Sequence, residues 1–163
     1  MAKMRIGVIS DTHVPDRQSE IPEAILSGLQ GVDMIIHAGD LTDIRVMDVL
    51  EGIALVHAVS GNMDSWPVKS SLKPTLTLKV LDKTIVVFHG IASHLGTEDA
   101  ARKAYPDADC VVFGHTHRSL CDREGKTLIF NPGTASRIFG SRPSYGILTI
   151  REGQQVEGEI FEV

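Results

Sequence analysis

The sequence predicts an α/β fold: a mixed pair of sheets with helices outside. Two observations carry this. Between residues 4 and 59, short β-branched apolar runs alternate with helix-like segments, the pattern of βαβαβ units around a parallel sheet. Beyond residue 74, closely spaced apolar runs are separated by turn residues, which is hairpin style. The length of 163 residues suits one domain, 1–163, with a core that needs no disulfide staples.

Met4 to Ser10 reads as a buried strand. Pro22 to Leu29 reads as a helix with apolar residues at 25, 26 and 29, Ser19 as its N-cap, and an end near Gly31. Met34 to His37 is a second strand. Asp43 to Leu50 is a second helix, with Asp43 as N-cap and Gly52 as stop. Ala54 to Val59 is a third strand. Met63 to Lys73 reads as a polar loop that could wall a pocket with Trp66, Lys69 and Lys73. Leu76 to Val80 and Ile85 to His89 flank a hairpin turn at 81–84. Thr97 to Ala104 is a short helix that stops before Pro106, and Asp109 to Phe113 a further strand. Leu120 to Arg123, Lys126 to Phe130, Ser144 to Arg151 and Gln155 to Phe161 complete the β-rich half around turns at Gly125 and Gly153.

Composition narrows the function. With 42% hydrophobic and 23% charged residues, the chain is neither collagen-like, disordered nor coiled-coil. A net charge of −5 argues against long nucleic acid as partner, and 5% aromatic residues argue against a base-stacking platform. Cys110 and Cys121 form no CxxC pair and are expected reduced. The first apolar run meets Asp11 too early for a signal peptide, and no run approaches the ~18 residues of a membrane span. A cytoplasmic protein without membrane contact is expected.

The informative residues follow the strands. Asp11 and His13 follow the first, Asp40 the second and Asn62 the third; His89 ends the fifth; His115 and His117 follow the sixth. Open α/β sheets bind ligands beyond the carboxyl ends of their strands. Glycines at 39, 61, 90 and 114 stand beside these residues, and are expected to make tight turns that aim short side chains at a common centre. Two Asp, four His and one Asn form a metal-ligand inventory. Seven donors are too many for one tetrahedral ion with an open position, and suit two ions sharing a carboxylate. Each fragment alone has a plainer reading as a cap or a turn; together, in order, each at a strand end, they do not.

These motifs, Asp11-x-His13, Gly39-Asp40, Gly61-Asn62, His89-Gly90 and Gly114-His115-x-His117, resemble those of the calcineurin-like metallophosphoesterases. Short length and Asn131-Pro132-Gly133 resemble the small bacterial and archaeal phosphodiesterase branch. The resemblance implies a four-layer α/β/β/α sandwich with a dinuclear centre at the sheet edge. One metal would be held by Asp11, His13, Asp40 and His117, the other by Asp40, Asn62, His89 and His115, with Asp40 as bridge. Two divalent ions per chain are implied, manganese foremost, with iron, nickel or zinc as alternatives. The expected reaction is hydrolysis of a small phosphodiester or nucleotide-type ester by a metal-bridging hydroxide, with Asn62 reaching a phosphate oxygen.

Met63 departs from the wider family, where a His follows the Gly-Asn pair. The leaving group then needs another acid, and His94 is the candidate. Asp64 reads either as the orienter of a ligand such as His13 or as a turn carboxylate. His37 and His57 lie within apolar runs and read as structural, and Arg137 and Arg142 are candidates for gripping phosphate. Three alternatives stand beside the phosphodiesterase: a phosphomonoesterase or nucleotide phosphatase on the same site, a protein phosphatase, for which the chain is short, and a non-catalytic protein-binding scaffold like the retromer subunit that resembles this branch. A homodimer is the base-rate expectation for its assembly.

Overall fold

The structure, a computed structural model, describes residues 2–90, 93–137 and 140–163. Strands β1 (Lys3–Ile9), β2 (Met34–His37) and β3 (Leu55–Ala58) alternate with helices α1 (Glu23–Gly28) and α2 (Arg45–Glu51). A short helix α3 (Trp66–Ser71) leads to the hairpin β4 (Thr75–Val80) and β5 (Lys83–Phe88). Helix α4 (His94–Lys103) crosses to β6 (Cys110–Val112), and β7 (Leu120–Glu124), β8 (Thr127–Asn131), β9 (Ser144–Arg151) and β10 (Glu157–Glu162) follow.

Two five-stranded sheets result, ordered β10-β9-β1-β2-β3 and β4-β5-β6-β8-β7. Both are mixed. β1, β2 and β3 run parallel, as do β5, β6 and β8, while β9, β10, β4 and β7 pair antiparallel to their neighbours.

Alternation along each strand builds three apolar layers. Ile6, Val8, Ile36, Ile85, Val87, Val112, Phe130 and Leu148 face inward and fill the space between the sheets. Ile35 and Ile147 face outward in the first sheet, against Ile25 of α1 and its C-cap Leu29, Val46 and Leu50 of α2 and Val68 of α3. Val86, Val111 and Ile129 face outward in the second sheet, against Ala101 of α4. The layers are therefore α/β/β/α. The far edge is closed by Arg123, whose Nη2 donates to the Val156 carbonyl at 2.7 Å, so β7 and β10 are joined across the sandwich.

Three local expectations need correction. Residues 66–71 are helical, not loop: Ser65 and Pro67 open a single amphipathic turn whose only buried side chain is Val68. Trp66 is 79% exposed. Helix α1 begins after Pro22 with no side-chain cap, so Ser19 does not serve it. The N-cap of α2 is Ile44, not Asp43, and no side chain caps the helix; Asp43, one residue earlier, accepts from Arg45 N at 2.8 Å with its carboxylate and from Val46 N with its carbonyl.

Phe130 is fully buried between the sheets, its ring against Gly146 and Gly158, where a Cβ would approach it to 2.3 and 2.7 Å. Phe130→Ala is expected to destabilise the fold by about 3–5 kcal/mol in urea unfolding, because neighbours held by two sheets cannot collapse into the space. A loss below ~1 kcal/mol would show a looser interlayer core than the packing implies.

Candidate metal centre

The carboxyl ends of β1, β2, β3, β5 and β6 meet at one edge of the sandwich. All seven expected donors lie on the connections there: Asp11 and His13 after β1, Asp40 after β2, Asn62 after β3, His89 after β5, His115 and His117 after β6. Five of these residues, Asp11, His13, Asp40, His115 and His117, have positive φ of 46–68°. That region is strained for a residue with a side chain, by roughly 1–3 kcal/mol each, and such strain clusters at functional sites.

Each carboxylate is held by one oxygen and presents the other. Asp11 Oδ2 accepts from Ser10 Oγ at 2.6 Å and from His115 N at 3.2 Å. Its Oδ1, fully buried, has no hydrogen-bond partner and faces His117 Nε2 at 3.2 Å, His13 Nε2 at 3.7 Å and His89 Nε2 at 3.9 Å. Asp40 Oδ1 accepts from Met63 N at 2.8 Å, and Oδ2 lies between His89 Nε2 at 3.1 Å and His13 Nε2 at 3.7 Å. Asn62 Oδ1 sits 3.0 Å from His89 Nε2 and 3.2 Å from His115 Nδ1.

Two groups of donor atoms emerge, Asp11–His13–His117 and Asp11–Asp40–His89, each within 4.8 Å of one another. Asp11 belongs to both, and Asp40 Oδ2 reaches towards both. A metal fits this chemistry. His13 Nε2 is, like Asp11 Oδ1, a buried donor atom without a hydrogen-bond partner, an arrangement that is costly unless a ligand completes it.

The field at the centre favours positive charge. Burial alone would push the Asp11 carboxyl up; the imidazoles of His117, His13 and His89 outweigh it and hold the group well below the ordinary carboxylate range. Burial alone would pull the His89 imidazolium down; its hydrogen bond to Asp40 and the charges of Asp11 and Asp40 raise it to about 9. His89 Nδ1 donates to the Ala38 carbonyl at 2.8 Å, which directs Nε2 into the site.

A supporting layer fixes the loops. Buried Asp64 accepts from Gly61 N and Thr42 N at 2.6 Å and from Asp40 N at 3.2 Å. It therefore orients the backbone of Asp40, a candidate ligand other than His13, and closes the turn that begins at Gly61. Burial raises its carboxyl above the ordinary value, against the pull of those N–H groups. His37 accepts from Gly39 N at Nδ1, and its Nε2 meets Thr12 Oγ1 at 3.1 Å; burial pushes its imidazolium down to about 3, so it is a neutral strut. Asn131 donates to the Gly114 carbonyl and Thr116 Oγ1, bracing the His115–His117 loop, and Thr134 Oγ1 donates to the Asp11 carbonyl. The sequence reading uses Asn131 only as part of Asn131-Pro132-Gly133 and gives Thr134 no role; Asn131, the polar last residue of the buried strand β8, is the signal for this support.

The four motif glycines provide room more than turns. Among them only Gly39 has positive φ, 97°. A Cβ at Gly39 would meet the His89 ring at 2.6 Å, one at Gly61 the Asp40 Oδ1 at 2.1 Å, one at Gly90 the His115 Cβ at 2.6 Å, and one at Gly114 Ser10 Oγ at 2.1 Å and Asp11 Oδ2 at 2.9 Å. Each glycine makes space for a different motif. Arg137 and Arg142 border a separate hollow with Gly140, Ser141, Pro143 and Val163, which shares no lining residue with the metal centre. His94 opens α4, and its side chain lies outside the described residues. Among the described residues, no helix is long and apolar enough to cross a membrane.

Comparison with known proteins agrees with this geometry. Residues 4–153 match the calcineurin-like phosphoesterase superfamily domain. A probable metallophosphoesterase of Methanothermobacter thermautotrophicus is 35% identical over 160 residues, covering 97% of this chain and 92% of the relative. A phosphodiesterase of Methanocaldococcus jannaschii is 29% identical over 160 residues, covering 89% and 92%. Among solved structures, Vps29 from Entamoeba histolytica complexed with Zn²⁺ superposes with a TM-score of 0.74 at 26% identity, covering 98% of this chain and 99% of that one. The family match runs from within β1 to the turn after β9 and takes in every element that brings a motif residue to the edge; the chain belongs to the calcineurin-like phosphoesterase superfamily.

Proposed function

We propose that this protein is a dinuclear metal-dependent phosphodiesterase acting on a small phosphodiester. The observation that carries the reading is the pair of donor groups sharing Asp11, with Asp40 Oδ2 between His13 and His89, around donor atoms that lack hydrogen-bond partners. Asp11, His13, Asp40 and His117 would hold one ion, and Asp40, Asn62, His89 and His115 the other. The donors are nitrogen and oxygen without sulfur, which suits manganese, iron, nickel or zinc. Bound there, such ions supply an activated water at neutral pH and neutralise charge developing on the phosphate.

The chain's own groups do the rest. Asn62 uses Oδ1 towards the imidazoles, which leaves its NH₂ to donate to a phosphate oxygen. Met63 contributes only its backbone N–H, to Asp40, and has no proton for a leaving alkoxide. His94, at the start of α4, is the proposed donor. The likeness to Vps29 favours a second reading, a protein-binding scaffold, and the filled donor set weighs against it.

Three outcomes test the reading. Chelation should abolish hydrolysis of bis(p-nitrophenyl) phosphate, and Asp40→Asn should lower it by more than ~100-fold, beyond the effect of losing a supporting contact; undiminished rates would favour the scaffold. Gly61→Ala, which substitutes none of the donors, should weaken metal affinity about 10–100-fold by displacing the Asp40 carboxylate, with circular dichroism unchanged; wild-type affinity would show that the glycine's close approach is incidental. His94→Ala should slow alkyl phosphodiesters by roughly 10²–10⁴ and leave p-nitrophenyl esters nearly unaffected. An equal effect on both would remove His94 from proton transfer.

A further inference from the structure

Asn62 and His89 also form one end of a cleft of about 500 Å³ that the reaction does not account for. The cleft runs from the turn after β3 towards the carboxyl end of α4, with Pro74 on one side and Phe88, Ala104 and Tyr105 on the other. Its size is that of a small-molecule site, about 300–1,000 Å³.

The wall is aromatic and anchored. Phe88 is buried, stacks on Phe113 with centroids 6.1 Å apart, and meets Tyr105 at 5.9 Å with ring planes inclined by 46°. Ala100 on α4 and Ala104, the C-cap of that helix, lie one helical turn apart and both border the cleft. Their methyl groups keep that side low; longer side chains there would fill the space. No carboxylate, lysine or arginine is among the described residues that line it. Away from His89 and Asn62 at the metal end, the described lining offers an anionic group only the hydroxyls of Ser60, Thr75 and Tyr105, whereas an apolar ring would bury its surface against the two aromatic rings and proline.

Resting on the phosphodiesterase reading, we propose that this cleft receives one organic ester group of the diester and selects an uncharged aromatic substituent over a methyl or an anionic one. The placement follows from Asn62 and His89: a phosphoryl group seated at the centre lies at the mouth of the cleft, so a substituent on its ester oxygen enters directly. Phe88, Ala100, Ala104 and Tyr105 are then specificity-determining residues that touch the substrate but none of the ions.

The test is calorimetric titration of the Mn²⁺-loaded protein with phenylphosphonate and methylphosphonate, each carrying a single organic group. Wild type should bind the phenyl compound at least tenfold more tightly. Ala104→Leu should erase that preference by weakening phenylphosphonate alone, and Ala100→Leu should do the same should the first variant fail to fold. Equal affinities in wild type, or a preference that survives both substitutions, would overturn the cleft proposal and leave the phosphodiesterase reading standing. Failure of both phosphonates to bind, with no hydrolysis of bis(p-nitrophenyl) phosphate by any divalent ion, would overturn the two together.

Discussion

The Asp11 carboxylate is fully buried at the seam between the two sheets, and the surroundings of the site are organised around satisfying it. A charge in that setting needs close partners. One oxygen takes a hydroxyl and a backbone N–H; the other is ringed by imidazole nitrogens at 3.2 to 3.9 Å. To bring two of those imidazoles in, the connections after β1 and β6 place His13 and His117, like Asp11 itself, at positive φ. That conformation persists only where neighbours over-determine it. Here Thr134 fixes the Asp11 carbonyl, Asn131 the histidine loop and Asp64 the backbone of Asp40.

The sandwich explains why the centre needs both sheets. The first sheet delivers the two carboxylates, His13 and Asn62; the second delivers His89, His115 and His117. Under the proposed assignment neither sheet has a complete donor set. The spacing between donors is therefore a property of the interlayer core, where residues such as Ile36, Val87 and Phe130 set the distance from one sheet to the other. Packing far from the edge and chemistry at the edge are thus linked through a rigid body.

Much of this was legible in the sequence because two periodicities coincide: a buried apolar run ends, and a metal-ligand type follows within a few residues. The seven residues assembled at one edge through that signal, and the alternation of runs located all ten strands to within a few residues. What was not legible depends on tertiary partners. Residues 66–71 bury a single side chain, Val68, so no helical stripe announces α3. Asp64 lies two residues from Asn62, which says nothing of whether its carboxylate turns to a histidine or, as found, to three backbone N–H groups. The glycines looked like turn formers, yet among the described motif residues the left-handed conformations fall mostly on the donors themselves, because the space beside each glycine is already taken by another motif.

That interlock ties the evolutionary freedom of distant positions together. Position 39 is confined to glycine by the ring of His89, position 61 by Asp40, position 90 by His115 and position 114 by Ser10 and Asp11. Loss of the donors alone would not release these positions. Gly39 keeps a left-handed backbone that strains any side chain, a Cβ at 61 would still meet the Asp40 backbone N at 2.5 Å, and one at 90 the His115 Cβ at 2.6 Å. A descendant that abandoned metal chemistry would therefore keep these glycines after its carboxylates and imidazoles had gone, and they would mark where the centre had been.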